Sequence, residues 1–205
     1  KNKYSIITAC LVLALAGSAS AATTAISWNF DSAPSGTVSG SSVAGVVPVA
    51  NWNNSVTPGA STTINLSNLI DSTGAATTLD LSSTVGVWGD GGASVQVSTP
   101  AVDGDGSYTK RMLNNYIKNP MTSVSLSQIP YASYDIYIYF SSDVANREGS
   151  VTDGASTFYF RTIGGTSVSG SNATLTQATE TSDLGTNALA NYALFSNLSG
   201  ASKTV

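Results

Sequence analysis

The loop from Asp103 to Ser107 places an oxygen-bearing side chain at every second position, as calcium-binding loops do. Asp103, Asp105 and Ser107 offer two carboxylates and a hydroxyl, separated by glycines. Hard cations such as Ca²⁺ prefer oxygen ligands of this kind, but the acidic residue that closes an EF-hand loop is missing. The sequence leaves two interpretations open. One is a structural Ca²⁺ site, and the other is an Asp/Gly turn that caps a helix starting at Tyr108.

Aromatic residues beside polar ones form a second candidate site. Aromatic faces suit the apolar C–H faces of sugar rings, and Asn or Asp side chains can hydrogen-bond sugar hydroxyls. The predicted carbohydrate-binding residues are Trp52, Asn53, Trp88, Asp90, Tyr137 and Tyr139. A further aromatic candidate, Tyr159, is expected to lie across from Tyr137 or Tyr139. The alternative is that these rings pack across strands or beneath a second layer.

The chain has no histidine and a single cysteine, Cys10. A Ser-His-Asp or Cys-His site therefore has no base, and zinc, copper or haem sites lack their usual ligands. Paired carboxylates are the remaining catalytic option, and Asp143, Glu148 and Asp153 are predicted to cluster at one hairpin end. Such residues are usually solvated loop residues. We therefore expect no enzymatic activity and keep a glycoside hydrolase as a remote alternative.

The composition argues against nucleic acid as a partner and for an extracellular protein. The chain has eight Lys and Arg residues and twelve Asp and Glu residues, so its formal net charge is −4. Nucleic-acid binding needs clustered basic residues that displace counterions from phosphates, and no such cluster occurs. Only 10% of the residues are charged and 19 are glycine. A neutral surface rich in hydroxyl groups is typical of exported proteins.

The strongest strand signal is Tyr134 to Phe140, a run of aromatic and β-branched residues. Its period of two predicts a core face made of Tyr134, Ile136, Ile138 and Phe140 and an opposite face made of Asp135, Tyr137 and Tyr139. Farther along, Asp153-Gly154 lies between two extended runs. This dipeptide predicts a β-hairpin closed by a type I′ turn, which needs a positive φ at both central residues.

Short apolar alternations separated by turns recur along the rest of the chain, as in all-β sandwiches. One helix is expected between Tyr108 and Asn119. There, Met112, Leu113, Tyr116 and Ile117 fall at helical spacing. Pro120 supplies the stop. The predicted fold is therefore an antiparallel β-sandwich with one short helix.

The first 22 residues have the features of a secretory signal peptide. A basic start precedes the apolar run from Ile6 to Ala16, which is too short to span a bilayer as a helix. Ala19-Ser20-Ala21 then gives a small-residue cleavage pattern, with cutting expected after Ala21 or Ala22. Residues 1–22 are thus the predicted signal peptide. Residues 23–205 are the predicted β-sandwich domain, which is secreted or at the cell surface and has no transmembrane span.

A lipobox is the alternative for this segment. Ile7-Thr8-Ala9-Cys10 matches its pattern, which would make Cys10 a lipidated N-terminus. The apolar run continues through Leu15, however, where a lipoprotein usually turns polar. The sequence therefore favours a cysteine within the hydrophobic region of an ordinary signal peptide.

Five groups of residues are spread over most of the chain after Ala22: Ala44–Pro48 with Asn51–Asn54, Leu69–Ala76, Met112–Tyr116, Tyr134–Phe140, and Asn191-Tyr192 with Phe195. In these residues and their order the chain resembles a family of secreted bacterial domains, often found with a PEP-CTERM sorting signal. The resemblance implies a jelly-roll, galactose-binding-like sandwich, and it carries over no catalytic residues. The family usually continues into a last strand and a sorting tail, so the resemblance also implies that the chain is a fragment lacking both.

The sequence as a whole predicts a non-catalytic extracellular module that binds carbohydrate or acts in adhesion, with a polysaccharide or glycan as its partner. The sugar assignment follows mainly from the resemblance in fold. The alternative is a structural surface or matrix protein without a small-ligand site, in which the aromatic residues all serve packing. No cofactor is expected apart from the Ca²⁺ considered above.

Overall fold

The computed structural model describes residues 10–14, 24–30, 37–38, 40–54, 63–83, 87–88, 102–113, 116–117, 123–142, 144–164 and 171–205. Within these residues strands dominate and the helical content is very small, so the all-β prediction is confirmed. The elements in chain order are β1 (Cys10–Ala14), β2 (Ala25–Asn29), β3 (Asn53–Asn54), β4 (Ile64–Leu66), β5 (Asp80–Ser83), β6 (Val87–Trp88), α1 (Thr109–Met112), β7 (Tyr116–Ile117), β8 (Val124–Ser127), β9 (Tyr134–Tyr139), β10 (Glu148–Thr152), β11 (Thr157–Thr162), β12 (Leu189–Ala190), β13 (Tyr192–Leu198) and β14 (Ser202–Thr204).

The described strands form four sheets. The largest has the order β13-β9-β1-β2-β3, and a second has the order β14-β8-β5-β4. Strands β10, β11 and β12 form a third sheet, and β6 pairs with β7 in a fourth. The pairing is antiparallel except between β2 and β3 and between β11 and β12. Antiparallel pairing of strands that are close in sequence agrees with the short turns expected from the sequence.

One hydrophobic cluster joins the first three sheets, and we call it the main core. Its largest side chains include Trp28 on β2, Leu81 on β5 and Phe160 on β11, all fully buried. Phe160 stacks on Phe140, with ring centroids 3.6 Å apart and planes tilted by 17°. Burying each such side chain stabilises the fold by about 1.5–3 kcal/mol.

The two faces of β9 are as predicted. Ile136, Ile138 and their alternate neighbours lie in the main core. Tyr139 lies in a second cluster on the opposite face, with Tyr137 partly buried against it. That second cluster is covered by the loop that contains Ala44 and by the residues of α1. The five-stranded sheet therefore has apolar contacts on both faces around β9.

The predicted hairpin is present, but its turn is not type I′. Strands β10 and β11 pair from Glu148 opposite Arg161 to Thr152 opposite Thr157, which leaves a four-residue loop, Asp153–Ser156. Only Gly154 in this loop has a positive φ, +86°. The Asp153 side chain holds the longer loop instead, since its Oδ1 accepts N–H bonds from Ala155 (3.0 Å) and Ser156 (2.7 Å).

The helix is much shorter than predicted. It covers Thr109–Met112, and Tyr116–Ile117 is a strand, with Tyr116 opposite Trp88 and Ile117 opposite Val87. Cross-strand pairing of aromatic and β-branched residues thus overrides their helical spacing. The described residues contain no helix with the length and apolar character needed to span a membrane.

Strand β1 belongs to the segment that the sequence assigns to a signal peptide. Cys10–Ala14 lies between β2 and β9 in the five-stranded sheet and pairs antiparallel with both. Cleavage after Ala21 or Ala22 remains a prediction. If it occurs, the processed chain lacks the strand that joins β2 to β9.

Candidate functional site

Trp52 is buried and Asn53 is partly buried. Trp52 is only 4% exposed, and its Nε1 donates to the Val49 carbonyl at 2.8 Å. The Asn53 amide nitrogen donates to the carbonyls of Ser27 (3.0 Å) and Ile70 (2.8 Å), and its Oδ1 accepts the Ile70 N–H at 3.0 Å. Asn53 therefore joins β2 to the chain around Ile70. The polar groups of Trp52 and Asn53 named here are all used in hydrogen bonds within the protein.

Tyr139 is fully buried and fixes the loop above the second cluster. Its hydroxyl oxygen accepts the backbone N–H of Val46 at 2.8 Å. Gly45, beside it, has a φ of +86°, and a Cβ there would stand 2.6 Å from the Tyr139 hydroxyl. The loop can approach Tyr139 this closely because residue 45 is glycine.

Gly45→Ala is expected to lower the free energy of unfolding by about 2 kcal/mol, from the left-handed backbone together with the clash. In a Tyr139→Phe background the same change is expected to cost about half as much, because the hydroxyl it meets is gone. Urea unfolding of the four proteins of this double-mutant cycle measures the coupling. If the effects of the two substitutions on the free energy of unfolding are strictly additive, the close approach of Gly45 to the Tyr139 hydroxyl does not contribute to the cost of Gly45→Ala.

The other predicted sugar contacts are distributed over separate elements. Trp88 is on strand β6 and not in a loop, and Asp90 lies outside the described residues. Tyr159 is on β11 opposite Ser150, in the third sheet, so the expectation that it lies across from Tyr137 or Tyr139 is wrong. Tyr159 therefore lies in a different sheet from Tyr137.

The loop proposed for calcium is held by hydrogen bonds. Asp103 is buried, and its carboxylate accepts the backbone N–H groups of Lys110 (2.9 Å) and Ala173. Asp105 is exposed, and hydrogen bonds from Ser107 lower the pKa of its carboxyl group. Among the described residues, no group of three or more His, Cys, Asp or Glu side chains is arranged to hold a metal. Asp103 thus bonds to the first turn of α1, while Ca²⁺ binding remains a prediction.

Tyr137 does lie in a site with binding potential, which we call the tyrosine patch: Asp135, Tyr137, Gln177 and Tyr192. Tyr137 is opposite Leu194, and Tyr192 is opposite Tyr139, so Tyr137 and Tyr192 are diagonal neighbours on one sheet face. Both tyrosines are half-buried. The Tyr192 hydroxyl donates to Gln177 Oε1 at 3.3 Å. The patch combines two aromatic rings with a carboxamide and a carboxylate.

The electrostatics of the patch keep Tyr137 protonated. Burial raises the pKa of the Tyr137 hydroxyl, and the nearby Asp135 and Tyr192 raise it further. Asp135 uses one oxygen, Oδ1, to accept the Asn197 N–H at 2.8 Å. At neutral pH the patch therefore presents a phenolic O–H donor beside a carboxylate acceptor.

Tyr192 and Gln177 were not among the residues predicted from the sequence. Tyr192 begins β13, but its place beside Tyr137 depends on the pairing of β13 with β9, more than 50 residues apart in the chain. Alternation along Tyr192–Leu198 signals only which residues share a face.

Two of the acidic residues proposed for hydrolysis, Glu148 and Asp153, are not clustered as expected. Glu148 begins β10 and Asp153 follows its end, so they lie about 16 Å apart along an extended strand. Asp143 is outside the described residues. A different pair does converge: Glu148 Oε2 and Asp183 Oδ1 each lie 3.1 Å from the amide nitrogen of Asn187. That buried amide links the two carboxylates through hydrogen bonds.

Comparison with known proteins gives no match to a protein-family model, to a curated protein or to a solved structure.

Proposed function

We propose that this chain is a non-catalytic, exported module that binds carbohydrate or acts in adhesion, built as a β-sandwich of jelly-roll, galactose-binding-like type. The observation that supports this best is the tyrosine patch. Its two half-buried rings provide apolar faces for the C–H groups of a sugar ring. In this proposal, Asp135 and Gln177 hydrogen-bond the hydroxyls around it.

The rest of the chain agrees with this proposal. Recognition of a neutral polysaccharide calls for rings and uncharged polar groups more than for clusters of charge. The chain is 10% charged, and its basic residues are outnumbered by acidic ones. Export, through the predicted signal peptide, would bring the patch to the compartment where such polymers lie.

Glycan-array and polysaccharide pull-down assays test the proposal. We expect the wild-type chain to bind a glycan and Tyr137→Ala and Tyr192→Ala each to weaken binding about tenfold. Loss of ring contacts of about 0.5–1.5 kcal/mol each, together with lost apolar burial, accounts for that size. Tyr159→Ala is a matched control, since Tyr159 is also half-buried but belongs to the β10–β11 hairpin.

The control separates a local site from a general loss of structure. Tyr159→Ala should bind the glycan as the wild type does. Equal weakening by all three variants would indicate damage to the fold and not a site at the patch. If no glycan is bound by the wild type, the alternative of a structural surface or matrix protein is favoured, with the patch serving packing.

The convergence of Glu148 and Asp183 is the observation that keeps a glycoside hydrolase as a remote alternative. Retaining glycosidases hold two carboxyl groups about 5–5.5 Å apart. In this chain the Asn187 amide lies between the pair, and Asn187 is itself buried. Release of reducing sugar from a polysaccharide by the wild type, lost in Glu148→Gln, would support catalysis over binding.

A further inference from the structure

The tyrosine patch contains one charged side chain, Asp135, whose charge the local backbone does not require. Asp135 lies opposite the stretch of β13 between Phe195 and Leu198, where the strand register shifts. Its Oδ1 accepts the backbone N–H of Asn197 at 2.8 Å, and Asn197 has a φ of +57°. This N–H needs one oxygen acceptor, which the neutral amide oxygen of an asparagine would also supply. The negative charge therefore has no role in holding the irregular stretch.

The second oxygen of Asp135 has no partner of its own. Within the part of the chain that the structure describes, Oδ2 forms neither a hydrogen bond nor an ion pair. The side chain is half-buried. Burial raises the pKa of the Tyr137 hydroxyl, and the charge of Asp135 raises it further, so this charge acts within the patch. The patch thus places a negative charge without a cation beside an aromatic ring.

The free-energy cost of covering this carboxylate differs among sugars. A ligand that lies against Tyr137 and Tyr192 removes water from Asp135, and a sugar hydroxyl returns a hydrogen bond but no compensating charge. A sugar acid adds a second negative charge and is repelled. A protonated amine gives a charge-assisted hydrogen bond, roughly twice as strong as a neutral one, and is attracted to the faces of aromatic rings. The patch therefore favours an amine beside Asp135 over a hydroxyl or a carboxylate.

We propose that the tyrosine patch recognises an amino sugar with a free, protonated amine, as in a polymer of glucosamine. The ammonium group donates to Oδ2 of Asp135, while the sugar ring lies against Tyr137 and Tyr192. The inference rests on the proposed function, and it narrows the carbohydrate from sugars in general to those that carry an amine. The chain has twelve acidic and eight basic residues, an excess of negative charge that also favours the approach of a cationic polymer.

Two hexasaccharides that differ in one functional group provide the test: a glucosamine hexamer and its fully N-acetylated form. The acetylated hexamer keeps the rings and the hydroxyls but has no positive charge. Isothermal titration calorimetry is carried out at about pH 6, where a primary amine is protonated, and in about 0.15 M salt, which screens distant surface charges. We expect the wild type to bind the free-amine hexamer about tenfold more tightly, which corresponds to about 1.4 kcal/mol.

Two carboxylate substitutions locate the origin of this preference. Asp135→Asn should bind the two hexamers equally, because it keeps an oxygen acceptor for the Asn197 N–H and removes only the charge. Asp80→Asn is the matched control. Asp80 also accepts a backbone N–H through Oδ1, from Asn68 at 3.0 Å, but it lies on β5 in the second sheet. This control removes the same net charge from the chain and should keep the tenfold preference, and urea unfolding verifies that both variants are folded.

Three results would overturn the inference. If the wild type binds both hexamers equally, or if the preference persists in Asp135→Asn, the amine is not read by Asp135, while carbohydrate binding at the patch still stands. If the preference is lost in Asp80→Asn as well, general attraction between an acidic protein and a cationic sugar accounts for it. If neither hexamer binds, the amino-sugar assignment is wrong, whereas the proposed function fails only when no glycan on the array is bound.

Discussion

Ile138→Asp is expected to leave no folded protein at room temperature. Ile138 is buried in the main core, and its register neighbours on β1 and β13 are Leu11 and Ala193. A carboxylate there has no cation to pair with among the side chains of the main core, which are all hydrophobic. The loss of about 4 kcal/mol or more is comparable to the whole stability of an ordinary domain.

Tyr137→Ser provides the matched control for this prediction. The residue adjoins Ile138 on the same strand but faces the other way and is half-buried. We expect it to cost about 1 kcal/mol, mainly through lost apolar contact. Circular dichroism with urea unfolding distinguishes the two variants. Similar tolerance of both changes would contradict the facing of β9 on which the position of the tyrosine patch depends.

The facing of β9 could be predicted because alternation is a local property. A strand with a period of two sorts its own side chains, whichever strands pair with it. The turn between β10 and β11 shows the limit of prediction from nearby residues. Asp-Gly correctly indicates a hairpin, but the loop has four residues because Asp153 accepts two backbone N–H bonds and pairs with Lys203. That lysine is 50 residues farther along the chain.

The helix shows the same limit more sharply. Met112, Tyr116 and Ile117 have helical spacing, and the sequence up to Pro120 contains no residue that breaks a helix. The chain nevertheless leaves the helix after Met112, and Tyr116 pairs with Trp88. Pairing between residues so far apart in sequence cannot be deduced from spacing within one segment, because it depends on how the strands come together.

The candidate site was the hardest part to predict. Aromatic residues next to Asn or Asp have the composition of a sugar site whether they are exposed or buried, and burial depends on what covers them. Tyr139 is covered by the loop at Gly45 and Val46, more than 90 residues earlier in the chain. Tyr137, two positions away on the same face, remains half-buried. The sequence could therefore predict which residues share this face of β9, but not which of them stays accessible to solvent.

Asp153→Ala is expected to lower the free energy of unfolding by about 3 kcal/mol, the low end for breaking a buried ion pair. The Asp153 carboxylate lies 2.8 Å from the Lys203 ammonium, with side-chain exposures of 4% and 20%. This pair joins the β10–β11 hairpin to β14. The substitution also removes the acceptor for the N–H groups of Ala155 and Ser156. Lys203→Met is the matched variant: it keeps these two loop bonds but leaves the buried Asp153 carboxylate without its cation, so we expect a loss of similar size. No loss in Lys203→Met would show that the ion pair contributes little to stability.

The same carboxylate should make stability depend on pH. Burial raises the pKa of Asp153, but the hydrogen bond and charge of Lys203 and the two backbone N–H groups outweigh burial, so the pKa is lowered overall. A lowered folded-state pKa adds stability above the unfolded value of about 3.9, and that stability is lost as the pH falls through the folded value.

We expect urea midpoints measured between pH 7 and pH 2 to fall less steeply below about pH 4 in Asp153→Asn than in the wild type. Part of the acid sensitivity should remain in the variant, because Asp71 also has a lowered pKa: hydrogen bonds from Thr73, Ala75 and Gly74 outweigh the effect of its burial. Identical slopes in the two proteins would mean that the Asp153–Lys203 pair does not contribute to acid unfolding.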